Sequence, residues 1–218
     1  MSQKGLPTIA PYALPEAASL PAPRGGGWPL EPGRAALLVH DMQRYFLRPY
    51  PAGEAPLAPV VAHIAQLLAA ARRAGVPVFY TAQHVNQDRR DRGLQADLWG
   101  PGMSDAGAHQ PILPELAPTP EDFVLTKHRY SAFQRSNLER LMRARGRDQL
   151  IICGVYAHIG CMLTAADAFM RDIHPFFVAD AVADFSRAKH DMAVEYVAAV
   201  CGVPCATAQV VARLEGQG

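Results

Sequence analysis

Residues 150–169, LIICGVYAHIGCMLTAADAF, pass from an unbroken apolar run into a segment with apolar residues at helical spacing. The run 150–155 has strand length and no polar–apolar alternation. A strand that is apolar on both faces belongs in a parallel sheet covered on both sides. From Cys161 onward, Met162, Ala165, Ala166 and Phe169 predict a helix over 161–171. Strand handing directly to helix is the unit from which such sheets are built. Cys161 stands at the handover, where a hydrolase could keep a nucleophile, which raises the question of whether it attacks anything.

The same unit recurs in both directions. AALLV (35–39), VPVFYT (76–81), FVLT (123–126), FFVAD (176–180) and VPCAT (203–207) predict five further strands. Leu57, Val60, Ile64, Leu67, Leu68 and Ala71 repeat at helical spacing, with Gly75 as the stop. Ser136 and Glu139 predict a capping box opening a helix that Gly146 closes. Ser186 predicts the cap of a helix with Ala193, Tyr196, Val197 and Val200 on one face, and a short helix follows Thr207. This alternation predicts a single α/β domain over 34–218. Residues 1–33, rich in proline and containing GGGWP, predict an irregular arm packed on that domain. The connection 83–122 is too long for a plain loop and contains Leu98 and Trp99, so it predicts an ordered lid.

Half of the 218 residues are apolar and 19% are charged, which suits an ordinary globular chain. A formal charge of +1 gives no electrostatic case for nucleic acid or an anionic membrane. No apolar run approaches the ~20 residues that span a bilayer, and the first residues lack the order of a secretory signal. The four cysteines form no C-x-x-C pair, as expected of reduced thiols in a cytoplasmic protein.

In open parallel sheets, ligands bind beyond the carboxyl ends of the strands. Asp41, Gln83, Lys127 and Tyr156, followed by Gly160, stand at four such ends. Any one polar residue there is explained by a strand reaching the surface; four beside an aromatic-bearing lid point to a site. Phosphate-cradling glycine motifs and the G-x-S-x-G elbow are absent. His158 and Cys161 have ligand spacing, but no second pair completes a zinc site. Asp180 and Asp184 could be acid/base carboxylates, but their place between a strand and a helix start favours capping, and among Arg89, Arg90 and Arg92 one could clamp a carboxylate.

Six blocks carry a family likeness: LLVHDMQRYF (37–46), YTAQ (80–83), LWGPGM (98–103), KHRYSAF (127–133), GVYAHIGCM (154–162) and VADAVADFS (178–186). Together, in this order, they resemble the isochorismatase family, with similarity from about residue 11 onward. Within it the chain is similar to stand-alone hydrolases of 2-amino-2-deoxyisochorismate in phenazine biosynthesis and to the isochorismatase domains of siderophore pathways. The resemblance implies a Rossmann-like, three-layer α/β/α fold with a six-stranded parallel sheet in the order 3-2-1-4-5-6. It further implies a homodimer without cofactor, and hydrolysis of a vinyl ether to pyruvate and a dihydroaromatic acid. No carrier domain is expected after the sixth strand.

By motif match, Asp41 is expected as catalytic acid and Lys127 as its partner. Gln83, Arg92, Trp99, Tyr156, Phe46 and the Gly160 backbone are expected to contact substrate; Arg92 is preferred among the arginines because the resemblance implies an arginine seven residues before Trp99. Cysteine hydrolases of the wider superfamily place their nucleophile where this chain has Gly160, not Cys161. A single helical step turns a side chain by ~100°, so Cys161 is expected to pack away from the site, while Gly160 leaves room for a substrate ring. The Asp-x-His metal site of nicotinamidases is replaced by AQHVN (82–86), so no metal is expected. His128 stands where the resemblance implies Trp, a difference expected to bear on local packing and one pocket wall. Two other functions remain open: a cysteine amidase, and a binding protein without catalysis.

Overall fold

The apolar runs pair as one parallel sheet. In the computed structural model, which describes residues 5–216, the strands are β1 (Ala35–His40), β2 (Val78–Ala82), β3 (Phe123–Thr126), β4 (Gln149–Val155), β5 (His174–Ala183) and β6 (Val203–Cys205). Their order is 3-2-1-4-5-6, the order implied by the resemblance. Every pairing is parallel, and Leu38 at the centre of β1 lies opposite Phe79 of β2 and Ile152 of β4. All residues of β1 and β4 are buried, as their unbroken apolar character requires.

Helices cover both faces. The described helices are α1 (Arg44–Leu47), α2 (Leu57–Arg73), α3 (Arg89–Arg92), α4 (Gln95–Trp99), α5 (Ala106–His109), α6 (Leu138–Arg143), α7 (Met162–Phe169), α8 (Arg187–Val200) and α9 (Thr207–Leu214). Val60, Ile64 and Leu67 of α2 share one core layer with Val210 and Leu214 of α9. Leu138, Ala165 and Val197, from α6, α7 and α8, build the other. Gly75 and Gly146 close α2 and α6 at φ 66°, a left-handed backbone that glycine adopts without a Cβ penalty. No helix among the described residues is long and apolar enough to cross a membrane.

Three local expectations need correction. The capping box is not formed as expected: Asn137, not Ser136, occupies the cap position of α6 and makes no side-chain bond, while the Ser136 hydroxyl one residue earlier donates to the Ala132 carbonyl at 2.5 Å and accepts from the Leu138 N–H, the first of α6, at 3.3 Å. The segment after β4 enters α7 through a π-type turn over Ala157–Cys161 rather than at Cys161 itself. β5 runs to Ala183, beyond the apolar stretch first assigned, because an irregularity in β4 between Ile152 and Gly154 lets pairing resume at Val182. Ser186 does cap α8, accepting from the Lys189 N–H at 3.3 Å. Asp180 accepts from Thr207 N at 2.7 Å, where α9 begins, and Asp184 from His158 N at 2.6 Å, where the π turn begins.

The lid between β2 and β3 carries α3, α4 and α5. The arm runs across the domain: the Ile9 N–H donates to the Pro49 carbonyl at 3.1 Å, with the Ile9 side chain buried.

Candidate active site

At the carboxyl end of β1 the chain turns with Asp41 at φ 52°, a left-handed conformation that aspartate tolerates better than most residues. The neighbouring strand holds that turn. The Asp41 N–H donates to Thr81 Oγ1 at 3.1 Å, and the Thr81 hydroxyl donates to Asp41 Oδ1 at 2.7 Å. Lys127, just past β3, donates from Nζ to Asp41 Oδ2 at 2.7 Å. Each side of this ion pair is only 4% exposed. Burial alone would raise the Asp41 carboxyl, but the Lys127 ammonium and the hydrogen bonds from Lys127 and Thr81 outweigh it and hold the group below its ordinary range. Asp41 is therefore a carboxylate in the free protein.

The pair lines a partly enclosed cavity whose outline takes in about 570 Å³, solvent at its mouth included. All eight expected residues line it: Asp41, Lys127, Gln83, Arg92, Trp99, Tyr156, Phe46 and Gly160. Arg92 of α3 is 5% exposed, and burial lowers its pKa. Its Nε donates to the Gly100 carbonyl at 3.1 Å, and Nη1 reaches Gln83 Oε1 at 3.4 Å; among the described residues it has no carboxylate partner. The LWGPGM block makes room for it, since a Cβ on Gly102 would lie 2.5 Å from Arg92 Nη1. Trp99 of α4 donates its indole N–H to the Tyr130 hydroxyl at 2.7 Å, fastening the lid to the loop after β3. Tyr156 donates to the Phe46 carbonyl and packs against Phe185 with ring centroids 4.3 Å apart.

Other wall residues were not singled out from sequence. Tyr130, Phe185 and Tyr45 lie inside the quoted blocks, so the blocks carried the signal although no role was attached. Leu6 comes from the arm, where no pattern marks it. His40, the last residue of β1, also lines the cavity. It is fully buried, with Nδ1 at 2.8 Å from the Val155 carbonyl oxygen and Nε2 at 3.3 Å from that of Tyr130.

This ring corrects the expectation about Gly160. The space beside the glycine is already filled: a Cβ there would stand 2.0 Å from His40 Cε1. Cys161 is fully buried among the apolar side chains of the α7 layer, and burial pushes its thiol well up. None of the four cysteines lines the cavity. His128 lines a groove by β3 and α6 instead of this wall. Among the described residues no cluster of three or more His, Cys, Asp or Glu is placed to hold a metal.

A largely aromatic cavity at the carboxyl edge of a doubly wound parallel sheet, with a buried carboxylate–ammonium pair at its wall, is the layout of an α/β enzyme site. The family follows from comparison with known proteins. The isochorismatase domain model matches residues 35–209. The chain is 52% identical over 206 residues to phenazine biosynthesis protein PhzD1 of Pseudomonas aeruginosa, covering 94% of this chain and 98% of that one. It is 49% identical over 210 residues to the isochorismatase of Bacillus subtilis, covering 96% of this chain and 67% of that one. Among solved structures, a cysteine hydrolase from Pseudomonas syringae superposes with a TM-score of 0.80 at 30% identity, over 92% of this chain and all of that one. The protein belongs to the isochorismatase family and is a hydrolase.

Proposed function

We propose that the protein hydrolyses the enolpyruvyl vinyl ether of an isochorismate-type substrate, 2-amino-2-deoxyisochorismate or isochorismate. The products are pyruvate and the matching dihydroaromatic acid, trans-2,3-dihydro-3-hydroxyanthranilate or 2,3-dihydro-2,3-dihydroxybenzoate. A role in secondary-metabolite biosynthesis, in the cytoplasm and as a homodimer, belongs to the same reading. Its main support is the composition of the cavity: Arg92, buried without an acidic partner, faces the same space as the Lys127–Asp41 pair. A buried guanidinium calls for an anion, and such a substrate brings two carboxylates.

The chemistry needs an acid rather than a nucleophile. Protonated Asp41 delivers its proton to the terminal methylene carbon, leaving an oxocarbenium ion on the ether carbon. Water adds to that carbon and returns a proton to the Asp41 carboxylate. The hemiketal then collapses, the ring oxygen leaving as an alcohol and the carbonyl of pyruvate forming. A positioned general acid contributes about 10²–10⁴-fold. Because Asp41 is ionised in the free site, substrate binding has to load it: a substrate carboxylate drawn to Lys127 and Arg92 weakens the hold of Lys127 on Asp41. Gln83, whose Nε2 makes no bond within the described protein, is placed to orient the water.

The test is pyruvate release, coupled to lactate dehydrogenase, with both substrates side by side. Asp41→Ala is expected to abolish turnover of either, while Cys161→Ala retains most of it. A folded but inactive Cys161→Ala protein would overturn this mechanism, and loss of turnover on thiol alkylation would favour a cysteine amidase. A wild-type protein that turns over neither compound would favour binding without catalysis.

A further inference from the structure

His40 carries a role that the reaction alone does not assign. Two glycines of the GVYAHIG run (154–160) close around it. A Cβ on Gly154, whose φ is 114°, would lie 2.2 Å from the His40 carbonyl oxygen, and one on Gly160 would lie 2.0 Å from the imidazole Cε1 and 2.7 Å from Nε2. Real Cβ atoms do not approach so closely, and a fully buried ring has little freedom to retreat. Position 160 is therefore closed to side chains while His40 stands where it does.

The ring also joins three walls of the cavity. It belongs to β1, one residue before Asp41. Nδ1 lies at 2.8 Å from the carbonyl oxygen that ends β4, and Nε2 at 3.3 Å from that of Tyr130 in the loop after β3. Burial, then the charge of Lys127, push its pKa down to about 4, so the ring is neutral and has one N–H. The shorter contact takes that proton, making Nδ1 the donor to Val155. Val155 immediately precedes Tyr156, whose hydroxyl reaches the Phe46 carbonyl. Moving the imidazole thus moves the register of the β4 turn against Asp41, whose Oδ2 lies 3.7 Å from His40 Nδ1.

We propose that His40 is the positioning residue of this site: its imidazole occupies the space of the side chain that position 160 lacks and clamps the Val155–Gly160 turn against the Asp41–Lys127 pair. The turn then offers the substrate backbone and Tyr156, with no side-chain nucleophile. His40 and Gly160 act together, so neither is exchangeable alone. The kinetic part of this assignment rests on vinyl-ether hydrolysis; the steric part does not.

Thermal melts and steady-state pyruvate release of Gly160→Ala, His40→Ala, the double variant and His40→Asn test it. Gly160→Ala is expected to lower Tm by about 5–10 °C in the wild-type background and by little in the His40→Ala background, because the obstructing ring is gone. His40→Ala is expected to lower kcat about 10–100-fold with KM within about threefold. His40→Asn, which keeps an N–H donor for the Val155 carbonyl, is expected to recover part of kcat. A plain packing role would change Tm without this split between kcat and KM or the rescue by asparagine. Should His40→Ala fail to fold, His40→Asn serves as the second background. Equal Tm losses on Gly160→Ala in both backgrounds, or unchanged kcat in both His40 variants, would overturn the assignment. If the wild-type protein releases no pyruvate, the functional reading fails, while the melting cycle still decides whether the ring and the glycine share that space.

Discussion

Asp41 is held by two neighbours with opposite consequences for catalysis. Thr81 and Lys127 place its oxygens at 2.7 Å each, which gives a proton donor a fixed direction. The same contacts favour the charged form, which cannot donate. If Asp41 is the acid, kcat/KM follows the protonated fraction of the free protein. With the carboxyl pKa depressed, that fraction falls tenfold per pH unit above it, so kcat/KM is expected to fall steadily from pH 5 to 8. The kcat limb is displaced upward, because in the complex a substrate anion shares Lys127. Lys127→Met removes the cation and leaves the carboxyl buried, so its pKa rises and the falling limb of kcat/KM moves to higher pH by about a unit or more. Kinetics across pH 5–9 check both shifts, and a flat kcat/KM over that range would remove Asp41 as the acid. His40 beside it shifts for the same reason with the opposite sign, since the burial that would raise a carboxyl lowers an imidazole and keeps this ring neutral.

The arm and the strands differ in how plainly the chain declares them. Tyr12 is the arm's anchor: its hydroxyl accepts from the Asp184 N–H at 2.7 Å and lies 3.2 Å from His190 Nδ1, to which it donates if His190 Nε2–H serves the Ala179 carbonyl at 2.8 Å. Tyr12→Phe strands both partners, at a cost of about 1–3 kcal/mol. A Tm lower by about 3–10 °C is expected, with a raised KM because Leu6 of the same arm lines the cavity; calorimetry and kinetics check this, and a melt unchanged within a degree would exclude the anchor. No periodicity announced that contact, because an irregular segment has no period to read. The inner strands were legible because a buried parallel strand is an uninterrupted apolar run, whereas edge strand β3, with only Leu125 buried, was legible from its apolar residue types. Arg92 was legible through the family likeness, which implies an arginine seven residues before Trp99, and Gly102 supplies a physical reason for the motif around it. The meeting of His40 and Gly160 was not: it depends on β1 lying beside β4 and on one ring orientation, neither of which is written in either block. The π turn likewise has no compositional mark, and Ser136 meets the first N–H of α6 from one residue outside the cap position expected of it.

At the scale of the whole molecule, the cavity belongs to no single element. Its wall takes Asp41 after β1, Gln83 after β2, Lys127 after β3, Tyr156 after β4, Phe185 after β5, two lid helices and the arm. A ligand that fills it therefore bridges the centre of the sheet to its least embedded parts. Binding to the folded form alone stabilises it by about 2.7 kcal/mol at a hundredfold excess over Kd, which for a chain of this size raises Tm by about 5–10 °C. A non-hydrolysable ether analogue of the substrate, with both carboxylates, is expected to produce that shift and to slow amide hydrogen exchange in residues 83–122 and in the arm. Exchange in β1 and β4 should change little, since those strands are already the most enclosed. Arg92→Gln removes the buried cation without emptying its space, so it should abolish most of the thermal shift while leaving the unliganded Tm within a few degrees. Inhibition by the analogue with no rise in Tm would place its binding site elsewhere. Protection confined to the lid, with the arm unchanged, would show that Leu6 touches the empty cavity without closing the occupied one.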